Sequence, residues 1–166
     1  MNKQLERVLE NYPCMVTERN SLIHQIIHFK GVSVEDVIDS MYTPLDFGVY
    51  VQNKRRADKT GEIAVNYRER TDEINHEWLE YLEKKLARMD EEIKFFEASI
   101  DALSEPYRSI MKDLLINGYT WDYLEGVYHV SRAGIGKRRK KALAEMSAFY
   151  DLRERMLTEF MSFSDC

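Results

Sequence analysis

The chain has 166 residues, room for one ordinary domain or two small ones, with 44% hydrophobic and 32% charged residues. That balance excludes a disordered chain, and only 7 Gly and 3 Pro leave few interruptions, so the expected fold class is mostly α. The net charge of −5, from 24 bases and 29 acids, excludes a uniformly basic nucleic-acid-binding domain.

Cys14 and Cys166 lie near opposite ends without CxxC or Cys/His spacing, which argues against a disulfide framework or a zinc site and suits a reducing cytoplasm. The start MNKQLERVLENYP has no apolar core of signal-peptide length, and apolar runs of three or four residues are too short to span a membrane. A cytoplasmic protein without a membrane segment is expected.

In chain order, residues 1–66 read as an N-terminal region of short helices. Leu5, Val8, Leu9 and Tyr12 follow helical spacing, and Pro13 is expected to stop that segment. Thr17 is placed as the cap of a second helix carrying Leu22, Ile23, Ile26, Ile27 and Phe29, with Gly31 at its end. Ser33 is placed as the cap of a third, with Val34, Val37, Ile38 and Met41. Phe47, Val49 and Val51 alternate like a short strand, and Lys54-Arg55-Arg56 and Gly61 read as a connection.

From 67 to 103 the pattern strengthens. Leu79, Leu82, Leu86, Met89, Ile93, Phe96, Ile100 and Leu103 recur in alternating steps of three and four, a heptad seam that Trp78, Tyr81 and Phe95 widen. A helix of roughly 37 residues would be about 55 Å long and needs cover along its seam. The cover is either a second copy, making Leu79 to Ile100 a homodimer seam, or the N-terminal helices folded back. Glu91, Glu92, Glu97 and Asp101 read as solvated flank rather than paired catalytic carboxylates.

Ser104 and Pro106 mark a new start. Residues 105–116 read as a helix, Asn117-Gly118 as a turn, 121–128 as a short helix capped by Thr120, and the chain from Ser131 as a third helix capped by that serine. Leu143, Met146, Tyr150, Leu157 and Phe160 carry apolar spacing into an extension at 151–166, with Arg153 interrupting it.

Charge is concentrated in that third helix. Residues 1–104 hold 20 acids and 14 bases, and residues 105–166 hold 9 and 10. Within 132–141 stand Arg132, Lys137, Arg138, Arg139, Lys140 and Lys141, with no acid. The wheel puts Ile135, Arg139, Ala142 and Met146 on an inner face beside Leu143. Ala133, Gly134, Lys137, Lys140 and Lys141 fall on the outer one, bordered by Arg132 and Arg138. Small residues in the first turn let a backbone approach base edges, and lysines suit phosphates. His24 and His28 at i,i+4 lack a third ligand, so no metal or other cofactor is expected. No phosphate loop, nucleophile elbow or Cys-His pair points to an enzyme.

The segment PYRSIMKDLLINGYTWDYLEGVYHVSRAGIGKRRKKAL resembles region 4 of sigma-70-family factors. With ADKTGEIAVNYRE before the long helix and ALAEMSAFY after the motif, the chain is similar to ArpU/RinA-type phage and prophage regulators of late transcription. The resemblance covers roughly residues 55–150. It implies a helix-turn-helix domain at 104–150, with recognition falling on Ser131, Arg132, Ala133, Gly134, Lys137, Arg138, Lys140 and Lys141. It implies phosphate contacts at Thr120 and Trp121. Glu125 departs from the small residue usual at its position, and His129 from the glycine usual in the turn, which calls for a left-handed or distorted backbone. The function implied is sequence-specific binding of double-stranded DNA at late promoters, with RNA polymerase as a further partner. A small-terminase-like packaging protein, or a module that only docks on polymerase, are the competing readings.

Overall fold

The structure, a computed structural model, describes residues 1–37 and 59–164, with side chains placed for 1–37 and 66–163. Its helices are α1 (Lys3–Ile27), α2 (Lys59–Asp101), α3 (Tyr107–Met111), α4 (Trp121–Tyr128) and α5 (Arg132–Ser164), with a wider helical turn at Lys112–Ile116. Among the described residues there is no strand, in keeping with the expected class. No helix among them is long and apolar enough to cross a membrane. The expected strand at Phe47, Val49 and Val51, the Lys54–Arg56 basic run, Ile38, Met41 and Cys166 lie outside the described residues.

Contacts divide the chain into two compact units: Met1–Asn20 with Arg88–Cys166, and Ser21–Ala87. Spacing along one helix does not reveal which distant segment covers it.

In the first unit, α1 supplies Leu5, Val8 and Tyr12, and α2 supplies Ile93, Phe96 and Ile100. Leu103, Met111, Ala142, Met146 and Tyr150 complete this core. Pro13 does not end α1. Its ring is exposed, and the helix continues so that Met15 and Val16 also pack on the core. An internal proline costs about 3 kcal/mol; beyond it the half-buried Met15 and Val16 and the buried Leu22 together offset this, at roughly 1.5–3 kcal/mol per fully buried side chain and less for the half-buried pair. Packing wins. Thr17, placed as a cap, lies inside the helix, and its hydroxyl donates to the Pro13 carbonyl at 2.9 Å. The start of α1 is closed by Asn2, whose Oδ1 accepts from the Gln4 and Leu5 N–H groups.

The seam on α2 is filled by its own chain in this unit. Ile93, Phe96 and Ile100 have no exposed surface, so these three positions cannot also face a second copy. Met89 packs against the same core. Of the acids beside the seam, Glu91 and Asp101 are exposed flank residues as expected, while Glu92 and Glu97 are half-buried against α1. Glu92 accepts from Arg7 at 2.5 Å and from Gln4, Glu97 accepts from the Tyr12 hydroxyl at 2.6 Å, Asp101 pairs with Lys112, and Glu91 pairs with Arg153.

In the second unit, Leu22, Val37 and Leu82 are buried, whereas Leu79 and Leu86 are half-buried. Gly31 takes φ +89 where the chain leaves α1. The next amide, of Val32, donates to the Asn75 carboxamide at 2.6 Å, and a side chain on Gly31 would crowd that same Asn75. Ser33 caps as expected, accepting from the Asp36 N–H at 3.1 Å. Gly61, read as connection, lies inside α2, which begins at Lys59. Trp78 and Tyr81 are exposed and stack on each other at 5.5 Å.

Candidate nucleic-acid interface

The segment from 104 to 150 builds its geometry locally. The Ser104 hydroxyl makes no cap; its backbone carbonyl accepts from the Tyr107 and Arg108 N–H groups instead. The expected helix at 105–116 is shorter and loosens at its end, where the Asn117 N–H reaches back five residues to the Lys112 carbonyl at 3.0 Å. Gly118 at φ +67 then makes the expected turn.

Helix α4 occupies the expected residues. The Thr120 hydroxyl oxygen accepts from the Tyr123 N–H at 3.3 Å, the capping bond its position calls for. At its end His129 sits at φ 50, ψ 40, which is the left-handed of the two conformations expected there. Helix α5 is capped twice: Ser131 Oγ accepts from the Gly134 N–H, and Glu125 Oε1 accepts from the Arg132 N–H, each at 3.3 Å. Glu125 thus fills its unusual position by reaching across the turn rather than entering the helix crossing.

A small core fixes α4 and α5 against α3. Ile110, Leu124 and Ile135 are fully buried, with Leu114, Trp121, Tyr128 and Val130 packed around them. The Tyr128 hydroxyl donates to Asp113 at 2.7 Å. Burial and then that bond push its pKa up to about 12. Ala142, Leu143 and Met146 are buried as the wheel indicated, while Arg139 is half-buried at the edge of the apolar side.

The expected site residues separate into two groups. Lys137, Lys140 and Lys141 are exposed and Arg138 is half-buried. Together with Tyr107 and Ala144 they line one shallow surface of α5. Among the described residues none of these four cations has an acid within ion-pair distance. Ala133 is exposed in the first turn.

The others are engaged within the fold. Gly134 is pressed against its neighbour rather than opened to a ligand: a Cβ there would stand 2.5 Å from the Val130 side chain. Trp121 packs in the small core and lies over Gly136, whose own Cβ would approach its ring at 4.0 Å. The ring is half-buried, so packing fixes its position while part of it stays at the surface. Arg132 faces Asp122 at 3.5 Å, and the Ser131 and Thr120 side chains are engaged as caps.

His24 and His28 lie with rings 4.3 Å apart, and no third His, Cys, Asp or Glu joins them among the described residues. Sequence reasoning missed Asn2. Its amide donates to Ser147 at 2.9 Å and its side chain to Asp151 at 2.8 Å, pinning the start of the chain on α5. Its place just before a helical pattern is a capping signal, but its partners are some 145 residues away.

The described fold and surface define a mostly helical protein carrying two helices joined by a short capped turn, with a basic face on the second. Comparison with known protein families, with curated proteins and with solved structures returns no match.

Proposed function

We propose that this chain is a sequence-specific DNA-binding transcription regulator working on double-stranded DNA in the cytoplasm, with α4 and α5 as its helix-turn-helix. The observation that carries the reading is the row Lys137, Arg138, Lys140 and Lys141, left without acid partners on a helix whose other face is locked into two cores. Unpaired ammonium groups on a rigid helix replace the counterions condensed on phosphates, and release of those ions drives binding. Ala133 in the first turn leaves room for a base edge. Action at phage or prophage late promoters rests on the resemblance to ArpU/RinA-type regulators alone.

RNA polymerase as a protein partner is the second reading. It is favoured by Tyr119, Tyr123 and Val127, an exposed apolar row on and just before α4, with the two tyrosine rings 4.6 Å apart. Selection of the full chain against a random duplex pool tests the first. Enrichment of one short motif is expected. Salt-sensitive binding with no enriched motif contradicts sequence specificity, and no binding at all contradicts the DNA reading.

A further inference from the structure

Helix α5 carries a hollow on each flank of its basic row. The one described above is lined by Lys137, Arg138, Lys140 and Lys141 with Tyr107 and Ala144. The second, of about 580 Å³, is lined by Arg139 and Lys140 together with Trp121, Leu143, Ala144 and Ser147. Lys140 and Ala144 border both. At 3.6 residues per turn, Arg138 stands about 100° to one side of Lys137, whereas Lys140 and Arg139 stand about 60° and about 160° to the other.

The wheel sets Arg139 on the inner face beside Ala142 and Met146, where a long side chain covers the core. The residue is half-buried, yet among the described residues its guanidinium has no acid within ion-pair distance and no hydrogen-bond partner. None of its nitrogens is among the fully buried atoms left without a partner, so each of them reaches solvent. The stem is the covered part and the head is the open part. An arginine held this way presents five donors in a fixed fork, and it has given up part of its rotamer freedom before anything binds.

We propose, resting on the DNA reading above, that Arg139 is a further phosphate-binding residue, gripping the backbone of duplex DNA on the flank of α5 opposite Arg138. A helix about 10–12 Å across fills a major groove about 12 Å wide, whose two walls are the phosphates of the two strands. Arg138 and Lys141 lie toward one wall. Lys140 lies toward the other, and Arg139 behind it extends the grip along that wall. The guanidinium fork bonds two oxygens of one phosphodiester, where an ammonium offers a point charge. The exposed Lys137, Lys140 and Lys141 still have their rotamer freedom to lose on binding. Arg139 has less to lose, so its removal is expected to weaken binding more than removal of any one of these lysines.

Titration of the full chain onto a duplex enriched from the random pool, at several salt concentrations and with circular dichroism melting alongside, tests this. Arg139→Met keeps an apolar stem and removes the charge. It is expected to weaken binding about tenfold, as for a lost hydrogen bond to a charged group, and to lower the slope of log K against log salt by about 0.9. Arg139→Lys is expected to keep that slope and bind about threefold more weakly, because the charge stays and one bond of the fork is gone. Wild-type affinity and slope in Arg139→Met, while Lys137→Ala with Lys140→Ala still lowers the slope, overturn the role of Arg139 and leave the DNA reading in place. A wild-type chain without salt-dependent binding overturns both. Where Arg139→Met no longer melts as a folded helical protein, Arg139→Lys decides: weaker binding at unchanged slope supports the fork, and wild-type affinity overturns it.

Discussion

Two helical stretches of this protein are dense in like charge, and they use it in opposite ways. On α2, the acids Glu91, Glu92, Glu97 and Asp101 each hold a donor from another element: Arg153, Arg7, Tyr12 and Lys112. On α5, Lys137, Arg138, Lys140 and Lys141 hold none among the described residues. Both runs look alike in a charge count. What separates them is whether a partner of opposite sign stands within reach, and that decides whether a charged helix braces the fold or waits for something outside it. Among the described residues the α2 acids are partnered within the fold and the α5 bases are not.

Removing the support of α5 has the largest expected effect. Ile135→Ala empties the centre of the small core and is expected to cost about 2–5 kcal/mol, read by thermal or denaturant melting. It should abolish DNA binding with every lysine still present. Retained binding would mean the cations act without a fixed helix.

Next comes an α2 tether. Tyr12→Phe removes the hydroxyl that donates to Glu97, and a loss of about 1 kcal/mol is expected, or roughly 2–4 °C in Tm for a chain of this size. DNA affinity should not move. A fall in affinity would break the division between bracing and binding charge.

The smallest effect is the alkaline limit. Burial first, with hydrogen bonds to carboxylates for two of them, raises the phenol pKa of Tyr12, Tyr128 and Tyr150 above the ordinary 10.0, to about 12 for the latter two. The folded state therefore holds these protons more tightly than the unfolded state. Their contribution is fully present below pH 10 and is lost as pH rises through about 12. A melting series across that window should decline steadily, and Tyr128→Phe should flatten part of the decline. An unchanged slope in the variant would contradict the assignment to Tyr128.

Much of the 104–150 segment was legible in the sequence because its determinants are local. Thr120, Ser131, Gly118 and the need for a left-handed residue at His129 all act within four residues of the backbone they shape. The inner face of α5 followed from its 3.6-residue period. Tertiary facts were not legible. Pro13 reads as a helix stop until Met15 and Val16 are seen to pack beyond it. A heptad seam has the same period whether its cover is a second chain or α1. Gly134 looks like room for a base edge until Val130 is placed against it. The value of a charge, likewise, depends on partners that spacing along one helix does not reveal.

The most direct test of the comparison is a salt titration of binding to a selected duplex by two double variants. Lys137→Ala with Lys140→Ala is expected to lower the slope of log K against log salt by about 2, near 0.9 per lost phosphate contact, with Tm unchanged. Glu92→Gln with Glu97→Gln is expected to lower Tm and leave that slope intact. A lysine variant that binds with wild-type affinity and slope would contradict the account.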